Sequence, residues 1–502
     1  MFPFTENEKI FIRHLKQKYK EHYDNIQTIP YVKDKLYSIS TVFVEGGMEY
    51  YTGSNWQKMN SYNEIAVIPP GTSKRSFILG GAGHGKSTLT LQYAYDWCNE
   101  VRNSFSSSFE IMILLRLRQL VGIQSVYTAI RRFILPKHSR LKEIDIKDIM
   151  ENSSSVLLIF DGLDEYPQQD LSQNSDVTKI LLSRIFPNFE VVVTSRYLPQ
   201  HFSERIKRFR LTGFNEQARQ RYIRRAITNE ESKSQTIMQT LHKNPVTEYF
   251  CQVPLFFVMS AHMSHEDKEF SSLKTVTGFF KYMIKCFHMH MRNKLDDANV
   301  QHFFLYEKDH RELDLIAFRG LSGEQGRTVW TKEYLCERLG ESFYQQYKRI
   351  GVLVEEDILE DDPTYHDSVK TQTQVSFCHK LFCEWYAAHY VTYVARSDTV
   401  NLQEFLKRVN QAGNQYMYRF ACGINFEAAE KLIMYVKSKP DGNKFATLCL
   451  MEQEDKIESF LDIVKDLLSK KIELHKDINN FRQRFTLQLL ETASRKNVSQ
   501  NI

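Results

Sequence analysis

The chain has little of what marks a secreted, membrane-spanning or repeat protein. Its eight cysteines are scattered, mostly beside apolar or aromatic neighbours. That suits reduced, buried thiols and excludes a disulfide frame. No apolar run reaches the length of a membrane span. The start, Met1–Phe2–Pro3–Phe4 followed by Glu6 and Glu8, lacks the basic and apolar regions of a secretion signal. A cytoplasmic chain is therefore expected. There is no internal repeat, and the tail has no leucine-rich period. Charge of one sign is also scarce: 66 Lys and Arg against 61 Asp and Glu leave a net +5, too mild for a nucleic-acid binder. The local basic clusters, Arg205–Arg208 and Arg219–Arg225, read as solvated helix faces. Two groups, Cys286/His288/His290 and Cys378/His379/Cys383, lack structural-zinc spacing, so no zinc is expected at either.

What is present is a chain of 502 residues, 42% hydrophobic and 13% aromatic, too long for one core and rich enough for several. Residues 6–23 read as a polar helix with Ile10, Phe11, Leu15 and Tyr19 as its apolar stripe. Leu36–Val44 reads as a strand. Short apolar runs then recur at Ser76–Leu79, Ile111–Leu115, Val156–Phe160 and Val191–Thr194, with helical stretches between them (Thr88–Cys98, Ser125–Leu135, Val177–Ile185). Buried strands alternating with helices indicate a parallel α/β sheet, which places ligands at the carboxyl ends of its strands. Beyond residue 213 the pattern turns helical, with two short strands expected at Gly351–Val354 and Val375–Phe377 and a strongly apolar helix at Leu381–Ala395.

Gly80, Gly81, Ala82, Gly83, His84, Gly85, Lys86 and Ser87, followed by Thr88, fit G-x-x-x-x-G-K-[ST] between a strand and a helix. Small residues let successive N–H groups turn inward around an anion, and the helix aims its positive end at phosphates. Lys86 then reaches the β- and γ-phosphates, and the Ser87 hydroxyl serves Mg²⁺. The strand Leu157–Phe160 runs into Asp161–Gly162–Leu163–Asp164–Glu165. Asp161 is expected to hold Mg²⁺, and Asp164 or Glu165 to position or deprotonate a water, unless Glu165 is an ordinary solvent-facing acid. Arg196, ending Val193–Thr194–Ser195–Arg196, either senses the γ-phosphate or forms a surface ion pair.

These motifs resemble the NACHT domain of the STAND class of NTPases, and most of all the NLR-type receptors of animals. The similarity extends to Leu211–Phe214, to Cys251–Leu255, to Phe377–Ala388 and to Tyr418–Ile424. The resemblance implies an adenine-side role for Pro254, otherwise a helix-start proline. It implies contact of His379 with the β-phosphate of ADP, where the bare sequence offers a core histidine. It also implies an α/β P-loop NTPase with a parallel sheet, followed by helical, winged-helix and second helical domains. The expected order is an N-terminal segment (1–70), the nucleotide-binding domain (71–213), helical domain 1 (214–272), a winged helix (273–396) and helical domain 2 (397–502). Neither an effector domain nor leucine-rich repeats are expected in this chain. The function implied is an ATP/ADP and Mg²⁺ switch, ADP-closed and ATP-open, that self-oligomerises and signals to protein partners in innate immunity. The alternative is an ATPase with genuine turnover driving conformational work; a switch hydrolyses slowly at most.

Overall fold

The computed structural model describes residues 5–27, 36–67, 73–81, 83–120, 122–166, 175–196, 198, 206–243, 251–263, 273, 275–292, 309–322, 327–361, 369–397, 401–411, 413–439 and 442–468. The chain divides into two compact units. The first comprises Met1–Ser234, Gln252–Met259 and Glu324–Cys378; the second comprises Gln235–Cys251, Ser260–Gly323 and His379–Ile502.

The strands, in chain order, are β1 Asn25–Gln27, β2 Leu36–Ser38, β3 Gly47–Tyr51, β4 Trp56–Lys58, β5 Arg75–Leu79, β6 Ile111–Arg116, β7 Val156–Asp161, β8 Glu190–Ser195, β9 Lys207–Gly213, β10 Val329–Thr331, β11 Leu353–Asp361 and β12 Val369–Phe377. The first unit is built on a seven-stranded sheet in the order β4-β3-β9-β5-β8-β7-β6. β5 pairs in parallel with β8 and β9, and β7 pairs in parallel with β6 and β8. Ile111–Leu115, Val156–Phe160 and Val191–Val193 are buried throughout, as strands covered on both faces must be.

The expected all-parallel sheet needs correction at one edge, where β3 runs antiparallel to both β9 and β4. Three other readings also change. Lys207–Arg208 is not a solvated helix face but the start of β9, whose inward residues Lys207, Phe209, Leu211 and Gly213 alternate with Arg208, Arg210 and Thr212. Arg219 lies on the helix Glu216–Ala226 with its side chain buried. In Leu36–Val44 only Leu36–Ser38 is strand; Ile39–Val42 turns into a short helix that buries Ile39 and Val42. No disulfide links any of the eight cysteines, five of which are buried.

The helix Glu6–Tyr23 starts at a capping box in which the Thr5 hydroxyl accepts from Glu8 N and the Glu8 carboxylate accepts from Thr5 N. Its Phe11, Leu15, Tyr19 and Tyr23, spaced one turn apart, are all buried. The Tyr19 hydroxyl donates to Met112 O at 3.2 Å and accepts from Leu114 N at 2.8 Å. It thereby occupies backbone groups on the outer side of β6, which would otherwise be an open sheet edge.

In the same unit β10, β12 and β11 form an antiparallel sheet in that order. β11 and β12 pair over nine residues, so both strands exceed the short apolar runs visible in the sequence. Glu355 on β11 accepts from the Tyr344 hydroxyl at 2.6 Å and pairs with Lys332 and Lys348. Ile358 joins the core of the large sheet.

In the second unit the helix Lys380–Arg396 is buried over most of its circumference. Its Glu384 carboxylate accepts from Tyr416 N at 3.0 Å and Met417 N at 3.2 Å, at the positive end of the helix Gln415–Ile424. Glu452 is likewise buried and satisfied. It accepts from Thr277 N and Oγ1, both at 2.9 Å, and from Arg419 Nε at 2.9 Å and Nη2 at 2.7 Å.

Arg75 ties the nucleotide-side strand β5 to the chain leading into β8. Its buried guanidinium donates to Ile180 O, Phe189 O and Phe186 O, each at 2.8 Å. Burial pulls its pKa down to about 10 against the opposing charge of Glu190. Replacing it with Leu removes all three bonds; Ile180 O and Phe186 O keep backbone donors, Ser183 N and Phe189 N, while Phe189 O loses its charged donor. A buried polar atom left unpaired costs about 2 kcal/mol, so Arg75→Leu is expected to lower the thermal midpoint of the unit by about 4–8 °C. Calorimetry checks this; a shift within 1–2 °C contradicts the clamp.

Candidate functional site

The parallel register fixes the site before any side chain is considered. Leu79 at the end of β5 lies opposite Ser195 at the end of β8, and Arg116 at the end of β6 lies opposite Asp161 at the end of β7. All four carboxyl ends therefore stop on one edge of the sheet, the edge at which open α/β sheets place ligands.

From β5 the chain enters Gly80, whose N–H donates to Ser195 O at 3.0 Å, and reaches the helix Lys86–Cys98 in six residues. Gly83 and Gly85 have φ of +77° and +85°, a left-handed backbone that glycine adopts without strain. A Cβ on Gly83 would also stand 2.9 Å from both Val253 and Leu255, so this position is closed to side chains for two reasons. His84 N donates to Gly81 O at 3.3 Å, and the His84 ring folds over Gly81. Ala82 lies outside the described residues. Ser87 is exposed at the first turn of the helix, with Thr88 half-buried beside it.

Lys86 turns back across this loop, and its Nζ donates to Gly80 O at 2.7 Å and Gly81 O at 3.1 Å. Desolvation brings its pKa down to about 8; Asp164 opposes the shift, and Arg196 adds to it. Two carbonyl dipoles thus hold this cation, which forms no ion pair among the described residues. That is the arrangement in which an arriving phosphate gains most.

Asp161 is buried at the end of β7, and its Oδ1 accepts from Thr194 Oγ1 at 2.6 Å. The same Thr194 hydroxyl accepts from Gly162 N at 2.8 Å, and Gly162 adopts φ +84°. Thr194 therefore fixes both the carboxylate and the turn that follows it. Asp164 meets Arg196 twice: its Oδ1 accepts from the backbone N at 3.0 Å, and its Oδ2 lies 3.2 Å from Nε. These side chains are only 2% and 9% exposed, so this is no ordinary surface ion pair. Glu165 lies 3.9 Å from Arg118, and both are partly exposed.

The segment Gln252–Leu255 lies against the glycine loop. Leu255 N donates to Gly83 O at 3.1 Å, and Phe214 N donates to Gln252 O at 2.8 Å. Gly213, at φ +89°, permits this approach, since a Cβ there would stand 2.0 Å from Gln252 O. Pro254 opens the helix Pro254–Met263 within this contact. His379 belongs to the second unit. It is the N-cap of the helix Lys380–Arg396, and its Nδ1 accepts from Leu381 N at 3.1 Å.

Two arginines at this edge were not singled out in the sequence. Arg116 donates to Glu356 on β11 at 3.0 Å and stacks over Tyr23 at 4.9 Å. Burial opposes its charge, but Tyr23, Glu356 and Asp161 outweigh that and raise its pKa. Arg118 is the partner of Glu165. The sequence signal that could have found them is their position directly after an apolar strand, the same position that marked Asp161 and Arg196.

Residues 74–230 match the family described as NACHT domain. Over this stretch the chain is similar to NACHT domains. The stretch begins one residue before β5 and contains the glycine loop, Asp161, Asp164 and Arg196. A search of curated proteins finds no match. Among solved structures, one with which the chain aligns is a Signal Transduction ATPase with Numerous Domains (STAND) protein with a tetratricopeptide repeat sensor from Pyrococcus horikoshii. Identity is 13%, the TM-score is 0.30, and the alignment covers 88% of this chain and 65% of that one. At that score the likeness bears on no particular element. No helix among the described residues is long and apolar enough to cross a membrane.

The left-handed glycines, the cation held by Gly80 O and Gly81 O and the buried carboxylate of Asp161 fit a bound nucleotide with Mg²⁺. The fit has a protonic signature. A bound anion favours protonated Lys86, so binding raises the pKa of this group above its unliganded value of about 8. Affinity for ADP should then fall as pH rises from about 7 to about 9, with proton uptake on binding approaching one above pH 8. Calorimetry in buffers of different ionisation enthalpy measures this. A lysine of ordinary pKa, near 10.4, would show neither effect in that window.

Proposed function

We propose that the protein is an adenine-nucleotide switch, closed with ADP and open with ATP. Gly80, Gly81, Ala82, Gly83, His84, Gly85 and Thr88 form its phosphate loop, Lys86 binds phosphate, and Ser87 and Asp161 hold Mg²⁺. Mg²⁺, when bound, neutralises phosphate charge. Pro254 would take the adenine side and His379 the β-phosphate, as the NACHT resemblance implies. The same resemblance implies self-oligomerisation on opening and signalling to protein partners in a cytoplasmic, innate-immune-like response.

The observation that carries the switch over a turnover enzyme is the state of the two candidate water-handling acids. Asp164 is occupied by both the backbone and the side chain of Arg196, and Glu165 lies beside Arg118. Both oxygens of Asp164 are engaged by Arg196, which leaves this carboxylate poorly placed to take up a water. Arg196 in turn is held back from any phosphate. Hydrolysis in this arrangement requires the Asp164–Arg196 pair to open first. Binding needs no such step.

Magnitudes limit what any one residue does. Turning a population from 1:99 to 99:1 takes about 5.5 kcal/mol of differential binding, while a hydrogen bond to a charged group supplies about 1.5–3 kcal/mol. Packing between domains must therefore supply the rest.

Steady-state phosphate release should stay well below one per second, outside the ordinary enzyme range of about 1–10³ per second; a rate inside that range favours the ATPase reading. Mass analysis of nucleotide released from the purified protein should find ADP, absent from Lys86→Ala. His379→Ala should retain nucleotide more weakly, by roughly ten-fold or more, and raise the particle mass seen by light scattering. Unchanged affinity and mass would remove His379 from the switch.

A further inference from the structure

A side-chain cluster in the second unit plays no part in the nucleotide reading. His310 directly precedes the helix Arg311–Ser322, and Asp314 lies one turn along, so both project to one side. His389 comes from the helix Lys380–Arg396. One nitrogen from each ring and one carboxylate oxygen all lie within 4.8 Å of one another. His310 Nδ1 stands 2.7 Å from Asp314 Oδ1, and the two imidazoles meet edge to face at 4.7 Å. The rings are braced from outside, His310 against Tyr386 at 5.2 Å and His389 against Trp385 at 5.0 Å. The same two helices are joined again where Cys383 Sγ donates to Ala317 O at 3.7 Å.

His389 Nε2 is shut off from solvent and has no hydrogen-bond partner among the described residues. A buried polar atom in that state calls for an occupant. Lys281 is exposed, so solvent screens its opposition to a bound cation. Arg311 and Asp309 pair with each other at 3.0 Å and cancel.

We propose that His310, Asp314 and His389 bind one divalent transition metal of the zinc class, which staples the helix Arg311–Ser322 to the helix Lys380–Arg396. Two imidazoles and one carboxylate are a borderline-soft donor set suited to zinc, which takes such ligands at about 2.0–2.2 Å. In a tetrahedral site these bonds put ligand atoms about 3.3 Å apart. The present separations, from 2.7 Å up to at most 4.8 Å, bracket that value. Water takes the remaining position. His310 and His389 lie 79 positions apart in the chain, which is why no spacing motif announces the set.

The test uses the full chain, stripped with chelator and titrated with Co²⁺ in the absence of nucleotide. One equivalent should give the visible bands of four-coordinate cobalt, bleached by Zn²⁺; octahedral oxygen coordination at a phosphate loop would not give them. His389→Ala and Asp314→Asn should each weaken Co²⁺ binding at least ten-fold while retaining ADP binding, which reports an intact first unit. Zn²⁺ should also raise the thermal midpoint of the unaltered protein, a readout that needs no variant to fold. Absence of the bands, bands undiminished in both variants, or a thermal midpoint indifferent to zinc would overturn the site.

Discussion

The common level at which β5, β6, β7 and β8 end is the constraint on which the nucleotide side depends. Parallel pairing sets Leu79 against Ser195 and Arg116 against Asp161. One residue of slip in any strand would turn its last side chain to the opposite face. The glycine loop, the buried aspartate and the Asp164–Arg196 pair meet because four strands stop together. Other features serve to hold that level. Arg75 clamps the start of β5 to the chain entering β8, and Thr194 bonds the end of β8 to the end of β7.

Electrostatics at this edge is paired rather than diffuse. Each candidate acid has a defined neighbour: Thr194 for Asp161, Arg196 for Asp164, Arg118 for Glu165. Lys86 is the exception, held by two carbonyls. A site in which the acids are occupied and the cation is not is arranged to receive an anion, and only after rearrangement to act on it. In the proposed switch that ordering separates binding from chemistry.

Much of the first unit was legible because its signals are local. Continuous apolar runs gave β5 to β8, and a glycine-lysine-serine sequence between strand and helix gave the loop. What escaped depends on partners distant in sequence. β3 and β4 lie among turn-forming residues and exist because β9 offers an antiparallel edge. β9 itself alternates inward and outward residues, but its lysine and arginines masked that alternation. β11 carries Glu355 and Glu356 in a strand that looks too acidic to pair; each has cations waiting in space, Lys332 and Lys348 for one and Arg116 for the other. Arg116 and Arg118 were passed over because an arginine after a strand is ordinary until its neighbour is known.

The cap of the helix Lys380–Arg396 carries a chemical consequence. His379 Nδ1 accepts a hydrogen bond from Leu381 N, so a neutral ring cannot carry its proton there. The imidazole is locked into the Nε2–H tautomer. Backbone geometry at the start of one helix thus decides that this ring meets its surroundings through Nε2 as a donor, and an oxyanion is the kind of neighbour such an N–H prefers.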